Sequence, residues 1–150
     1  MTDMNQPYFS MDKIYVKDIS LEIPHAPQIF MEREHPEIEV QLQSQGVPLE
    51  EGVFEVEVVA TVTAKLGEKV MFLIEVKQAG IFQIRNIGNE EIEPVLAVTC
   101  PNILFPYLRE VVSDVSVRGG FSPVMLNPLN FEVLYQQRKQ QEAEAAATTH

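Results

Sequence analysis

The chain has 150 residues, enough for a single domain with its own hydrophobic core and too few to fill a second one. Hydrophobic residues make up 45% of it, which excludes an intrinsically disordered chain. The 22 acidic side chains outnumber the 11 basic ones and give a formal net charge of -11. Nucleic acids and anionic lipid surfaces are therefore disfavoured partners, whereas a basic protein surface is favoured.

Cysteine usage and the first residues indicate the compartment. Cys100 has no second cysteine with which to form an internal disulfide. The N-terminal sequence MTDMNQPYFSMDK lacks the basic segment and apolar run of a secretory signal. We find no stretch that approaches the roughly 18 apolar residues of a membrane span. We therefore expect a protein of the reducing cytoplasm, with no direct membrane insertion.

The first part of the chain predicts an arm followed by a strand. Residues 1–12 show no hydrophobic periodicity, so we expect a flexible N-terminal arm ahead of a domain that spans 13–137. Residues 13–23 are rich in β-branched and aromatic side chains and predict a strand. Apolar residues fall on both of its faces, including Ile14 on one and Ile19 on the other. Such a strand is either central in its sheet or covered by another subunit.

A proline-rich segment separates this strand from the next. Prolines at 24, 27 and 36 exclude a regular strand and predict a crossover loop. The apolar side chains of this loop are Ile29, Phe30 and Met31. Residues 37–43 alternate and predict a second strand, followed by a turn within 46–52. The apolar face of this strand consists of Ile38, Val40 and Leu42.

The clearest pattern is a long antiparallel hairpin. Residues 53–64 alternate, and the segment 70–84 resumes the period of two after a turn. Glu55 and Glu57 lie on the outward face of the first hairpin strand. Carboxylates two residues apart on a strand are an ordinary solvated pattern, so we interpret them as surface groups rather than an acid/base pair.

Two helices are predicted in the last third of the chain. The first is expected to begin at an Asn102 N-cap and to end at Gly119-Gly120. Its apolar stripe consists of Leu104, Leu108, Val111, Val112 and Val115. A shorter helix is expected to begin near Asn127-Pro128 or Asn130 and to fray into a polar, Ala-rich tail over 138–150. Its apolar side consists of Phe131, Leu134 and Tyr135.

Residue types that serve catalysis are scattered through the chain. We find no phosphate-binding loop and no dinucleotide-binding glycine motif. The histidines do not stand at a metal-ligand spacing with Cys100, so we expect no metal and no cofactor. Cys100 precedes the first helix, where a thiolate paired with His35 is one interpretation. A buried, small apolar cysteine before Pro101 is the better one, and we predict that the chain is not an enzyme.

Four segments together resemble signature stretches of the SecB family of bacterial export chaperones. They are IYVKDISLE at 14–22, FLIEVKQAGIF at 72–82, CPNILFPYLRE at 100–110 and NPLNFEVLY at 127–135. They occur in the family's order and spacing. The resemblance implies an α+β subunit, in which a four-stranded antiparallel sheet carries a long first helix and a shorter C-terminal helix. It also implies a homotetramer built as a dimer of dimers.

The resemblance implies an ATP-independent chaperone that holds unfolded secretory precursors in an export-competent state and delivers them to the motor ATPase SecA. SecA would contact acidic and apolar positions on the outer sheet face, which match Asp18, Glu22, Leu73 and Glu75; an ordinary solvated face is the alternative. Flexible and aromatic side chains suit promiscuous client binding. The client-binding candidates are Ile29, Phe30, Met31, Ile38, Val40, Leu42, Phe131, Leu134 and Tyr135. The strand members among them are equally suited to be plain core.

One position departs from the family, and two other functions stay open. Familiar members carry a tryptophan just before the proline, where this chain has His35-Pro36. One alternative is a small-ligand binder whose open sheet closes over a lipid-like molecule. The other is an enzyme that depends on Cys100.

Overall fold

Four strands form one antiparallel sheet in the computed structural model, which describes residues 6–148. The strands are β1 (Tyr8–Glu22), β2 (Glu37–Glu50), β3 (Val53–Leu66) and β4 (Lys69–Arg85). Their order across the sheet is β1-β4-β3-β2, so β1 and β2 are the two edge strands. A short 3₁₀ helix, Gln28–Met31, lies in the crossover between the edges. The predicted α+β class and four-stranded antiparallel sheet are confirmed.

The central strands form because their apolar residues alternate strictly, so that one face of the sheet can be buried. On this inner face Val62 pairs with Ile74 and Ala60 pairs with Val76, all fully buried. Leu104, Leu108 and Val112 of the main helix are also fully buried and belong to the same core. Each large side chain buried this way contributes roughly 1.5–3 kcal/mol. The core therefore lies between β3, β4 and this helix.

The main helix begins well before the predicted cap. It consists of α1 (Asn89–Pro94), a π-helical segment (Val95–Thr99) and α2 (Cys100–Arg118), which follow one another without a break. Asn102 lies inside α2, so the predicted N-cap is wrong. Pro94 and Pro101 read as helix breakers in the sequence. In the structure the π segment falls between them, where the backbone hydrogen-bond pattern is already interrupted.

By length and composition, the continuous helix Asn89–Arg118 could cross a membrane, which the sequence expectation had missed. Its fully buried residues pack against β3 and β4 instead. The helix thus serves the sheet as its apolar cover, which accounts for part of its hydropathy.

Element ends differ from expectation in three places. Tyr8–Asp12, assigned to the arm, already belong to β1, because Phe9 pairs with Ile84 on β4; residues 1–5 lie outside the described part. β2 extends to Glu50, which leaves only positions 51 and 52 for the turn. The last helix, α3 (Phe131–Thr148), continues into the predicted tail. The Asn130 side-chain oxygen accepts a hydrogen bond from the Val133 N–H at 3.1 Å, which supports the later of the two predicted starts.

Candidate functional sites: an apolar groove and an acidic sheet face

The inner face of β2 is only partly covered, because α2 packs over β3 and β4. Ile38 and Val40 are 48% and 40% exposed, although they face the same side as the core. Four open depressions, each of about 400–450 Å³, follow one another along this face. Neighbouring depressions share lining residues, namely Ile38, Leu42 and Ser44. We call this continuous surface the groove.

Aromatic rings build the end of the groove that lies at the crossover loop. Phe30 stacks on Phe121 with ring centroids 5.3 Å apart, and Phe121 contacts Phe72 at 4.4 Å. Ile29 anchors the loop, since its side chain is buried and its N–H donates to the His25 carbonyl at 2.8 Å. Phe30 stays 46% exposed and lines the depression. The loop therefore presents an aromatic surface on a fixed base.

The segment between α2 and α3 forms the middle wall. Its Val124 N–H donates to the buried Ser116 hydroxyl at 2.9 Å, which fixes the segment to the end of α2. Val124 and Leu126 are buried, whereas Met125 is 65% exposed and also lines the groove. A long, flexible methionine at this point suits a surface that must adapt to different chains.

The start of α3 forms the wall at the other end. Phe131 is buried and meets Phe105 of α2 edge to face at 5.9 Å, which fastens the helix to the core. Leu134 is 45% exposed, and with Tyr135 it lines the depression above Leu42. A salt bridge of 2.8 Å between Lys139 and Glu93 joins α3 to α1.

The structure brings together eight of the nine client-binding candidates along this groove. Ile29 and Phe131 are buried at the two ends of the groove, where they support the exposed side chains beside them. Met31 is 82% exposed and is not among the lining side chains. Sequence reasoning missed several lining residues of the α2–α3 connection, for which the apolar positions between prolines in FSPVMLNPL were the available signal. They are Phe121, Pro123, Val124, Met125, Leu126 and Leu129.

The opposite, outer face of the sheet carries the four SecA-binding candidates. Glu22 pairs directly with Leu73, and Asp18 pairs with Lys77, two positions along β4 from Glu75. Asp18 and Glu22 are exposed, while Leu73 and Glu75 are partly exposed. The register thus places Glu22 directly opposite Leu73, with Glu75 two positions along β4 on the same face, and Asp18 further along that face opposite Lys77.

A polar network lies on the same face beside these residues. The Tyr15 hydroxyl donates to the Glu55 carboxylate, and Lys17 Nζ lies 2.9 Å from Glu55 and 3.2 Å from Glu57. These contacts reach from β1 to β3 across β4, where the small, fully buried Ala79 leaves room. The hydrogen bond from Tyr15 and then the Lys17 ammonium hold the pKa of Glu55 below its usual value. Burial, and then Glu55, raise the pKa of Tyr15 to about 12.

The interpretation of Cys100 as a nucleophile paired with His35 gains no geometric support. Cys100 is fully buried, and burial raises the pKa of its thiol to about 12, which disfavours the thiolate that a nucleophile needs. His35 is exposed on the crossover loop. Within residues 6–148, no group of three or more His, Cys, Asp or Glu side chains could hold a metal ion.

Comparisons with known proteins match this architecture. The family model described as SecB, preprotein translocase subunit SecB, matches residues 2–142. The chain is 60% identical over 146 residues to the protein-export protein SecB of Methylobacillus flagellatus, which covers 97% of this chain and 93% of that one. The corresponding protein of Chromobacterium violaceum is 64% identical over 140 residues, 93% of each chain.

One solved structure has the same fold. It is a SecB-like chaperone of Mycobacterium tuberculosis in complex with an antitoxin peptide, with a TM-score of 0.64 and 18% sequence identity. The similarity covers 81% of this chain and 90% of that one.

Proposed function

The chain belongs to the SecB family and is a protein-export chaperone rather than an enzyme, and from this premise we propose that its groove holds unfolded secretory precursors in an export-competent state. The observation that carries the proposal is the row of half-exposed apolar side chains along the edge strand β2 and the facing start of α3, with Ile38 and Val40 48% and 40% exposed on β2 and Leu134 45% exposed on α3. The M. tuberculosis relative in the same fold was solved with a bound peptide, which supports a peptide-binding role.

Apolar burial can drive such binding without a nucleotide. Each contact contributes roughly 25 cal/mol per Å² of apolar surface removed from water, so an extended segment is held by many weak contacts. A long open groove suits an extended chain better than it suits one enclosed, lipid-like molecule. Sequence-independent contacts of this kind account for a chaperone that binds many precursors, and make an ATP-independent cycle the simplest one.

The outer sheet face is the proposed contact for the motor ATPase SecA. Glu22 and Glu75 neighbour Leu73, and Asp18 lies further along the same face; an apolar side chain with acidic neighbours is complementary to a basic, partly apolar partner surface. Because this face lies on the other side of the sheet from the groove, one molecule can contact the motor while a client occupies the groove.

We also propose a homotetramer, a dimer of dimers, in the cytoplasm. β1 is an edge strand of 15 residues whose free backbone groups can pair with a second copy. A register shift between Val16 and Asp18 puts Ile14 and Ile19, which the sequence pattern placed on opposite faces, on the same inner side of β1, so that prediction is wrong. On this side Val16 and Ile19 are 40% and 48% exposed, and on α2 Tyr107 and Val117 are 49% and 52% exposed. Apolar surface on the long helix and beside it supports helix-mediated pairing of two dimers.

The test is aggregation of an unfolded precursor diluted from denaturant, followed by light scattering without ATP, with the oligomer sized on the same sample. We expect suppression by the wild-type protein, and a clear loss of suppression in Leu134→Asp, which puts a charge in the groove. Val133→Asp is the matched control, since Val133 is 46% exposed on the same helix but does not line the groove. Equal loss in both variants, or no suppression by the wild type, would refute the proposal.

A further inference from the structure

An irregularity in β1 turns two consecutive residues of opposite charge towards the outer face of the sheet. The pairing of β1 with β4 shifts between Val16 and Asp18, which leaves Lys17 as an extra residue without a partner on β4. In a regular strand, consecutive side chains point to opposite faces, whereas a bulge re-aims one of them. Here the Lys17 ammonium contacts Glu55 and Glu57 on the outer face, so a cation stands directly beside Asp18.

Two carboxylates of β3 draw this cation across the sheet. Lys17 Nζ lies 2.9 Å from a Glu55 oxygen and 3.2 Å from a Glu57 oxygen. The side chains of Glu55 and Glu57 are only 15% and 17% exposed, so both are held by their surroundings. Tyr15 also donates to Glu55, which fixes the position of that carboxylate. The ammonium therefore points over β4 towards β3.

The acidic side chains of the proposed SecA contact are left without a cation of their own. Within residues 6–148, no ion pair of 4.0 Å or less involves Asp18, Glu22 or Glu75, although Lys77 stands opposite Asp18 in the register. The ammonium of a lysine is carried on a flexible four-carbon chain. Without the two carboxylates of β3, Lys17 would turn to Asp18, which follows it directly on the same face.

A basic partner surface is attracted most strongly by carboxylates that no cation of the same chain has neutralised. We propose that Glu55 and Glu57 are positioning residues for SecA, because they hold Lys17 away from Asp18 and keep the acidic part of the outer face available. This role rests on the proposed contact between the outer face and SecA. Two carboxylates with the sequence pattern of ordinary surface groups thereby determine how strongly the face attracts its partner.

A double-mutant cycle with SecA, measured by calorimetric titration, tests this role. At about 0.15 M salt the Debye length is about 8 Å, which restricts the effect to near neighbours. The four proteins are the wild type, Glu55→Gln/Glu57→Gln, Lys17→Met and the variant with all three substitutions. Gln removes the charge and keeps an oxygen that can accept the hydrogen bond from Tyr15.

The Gln pair is expected to weaken SecA binding about threefold to fivefold, because the released Lys17 neutralises Asp18. Lys17→Met alone should change the affinity by less than about 1.5-fold, since Lys17 is held away from Asp18 in the wild type. In the triple variant, the affinity should return to within about twofold of the wild type. Suppression of precursor aggregation should be the same in all four proteins, because the groove lies on the other side of the sheet.

Glu37→Gln/Glu39→Gln is the matched control. It removes two carboxylates at the same spacing from β2, where they alternate with the inward-facing Ile38, and neither of them contacts Lys17. Its effect on SecA binding should simply add to that of Lys17→Met. A Gln pair that binds SecA as the wild type does, or a loss that Lys17→Met does not restore, would overturn the positioning role alone. Wild-type protein that does not bind SecA would overturn the outer face as the SecA contact as well.

Discussion

Gly120 determines where Phe30 can lie at the loop end of the groove. Its φ is +88°, in the left-handed region, where an L side chain costs about 1–2 kcal/mol. A Cβ atom built on Gly120 would stand 3.1 Å from the Phe30 ring, closer than the ring can tolerate without moving. We expect Gly120→Ala to push the Phe30 ring by a few tenths of an ångström and to weaken its stack on Phe121, at a further cost of about 1 kcal/mol. The total loss of unfolding free energy is then about 2–3 kcal/mol.

Two other glycines separate the backbone cost from the contact cost. Gly67 has a φ of +62° with nothing within 4 Å of its added Cβ, so Gly67→Ala should show the backbone cost alone. Gly88 has neither a positive φ nor a neighbour within that distance, so Gly88→Ala should leave stability almost unchanged. Urea unfolding at one fixed protein concentration measures all three, because oligomerisation makes stability depend on concentration. A Gly120→Ala cost no larger than that of Gly67→Ala would refute the reasoning about Phe30.

Three further outcomes are expected. The folded-state pKa of Glu55 is depressed, so its pairing stabilises the fold above the unfolded-state pKa of about 4.3, and this stabilisation is lost as pH falls through the folded-state pKa. In chemical unfolding, Glu55→Gln should therefore be less stable than the wild type at pH 7 and equally stable in acid. A difference in stability that stays constant with pH would contradict this. Because burial raises the thiol pKa of Cys100 to about 12, mass spectrometry of the native protein should show little alkylation by iodoacetamide at pH 8. Rapid alkylation would instead show an accessible thiol. Cys100→Ala should still suppress precursor aggregation. Glu22→Lys should weaken binding to SecA in a calorimetric titration and leave client binding intact, whereas Glu51→Lys in the β2–β3 turn should change neither interaction; equal effects would argue against a localised contact.

The sheet could be predicted because its signal is local. Strict alternation in β3 and β4 fixes which residues face inward, and a slip of one residue would expose all of them. The start of the main helix could not be predicted, because Pro94 and Pro101 indicate breaks in the helix unless the π segment between them is known. Propensity says nothing about such a segment, which is stabilised by packing on the sheet.

The sequence predicts the residues of one candidate site more completely than those of the other. Alternation alone places Leu73 and Glu75 on the outer face, and the antiparallel register adds Glu22 beside them. The groove depends on an arrangement that no local pattern encodes, namely which part of β2 the main helix leaves uncovered. The wall formed by Met125 becomes visible only when β2 and the α2–α3 connection are placed together.

The central claim is that an unfolded precursor lies along the inner face of β2, and site-specific photo-crosslinking tests it most directly. A photoreactive phenylalanine analogue would replace either Val40, which lines the groove, or Gln41, its neighbour on the outer face of the same strand. We expect strong crosslinks to a denatured precursor from position 40 and few from position 41. Equal crosslinking at the two positions, or crosslinking mainly at position 41, would contradict it.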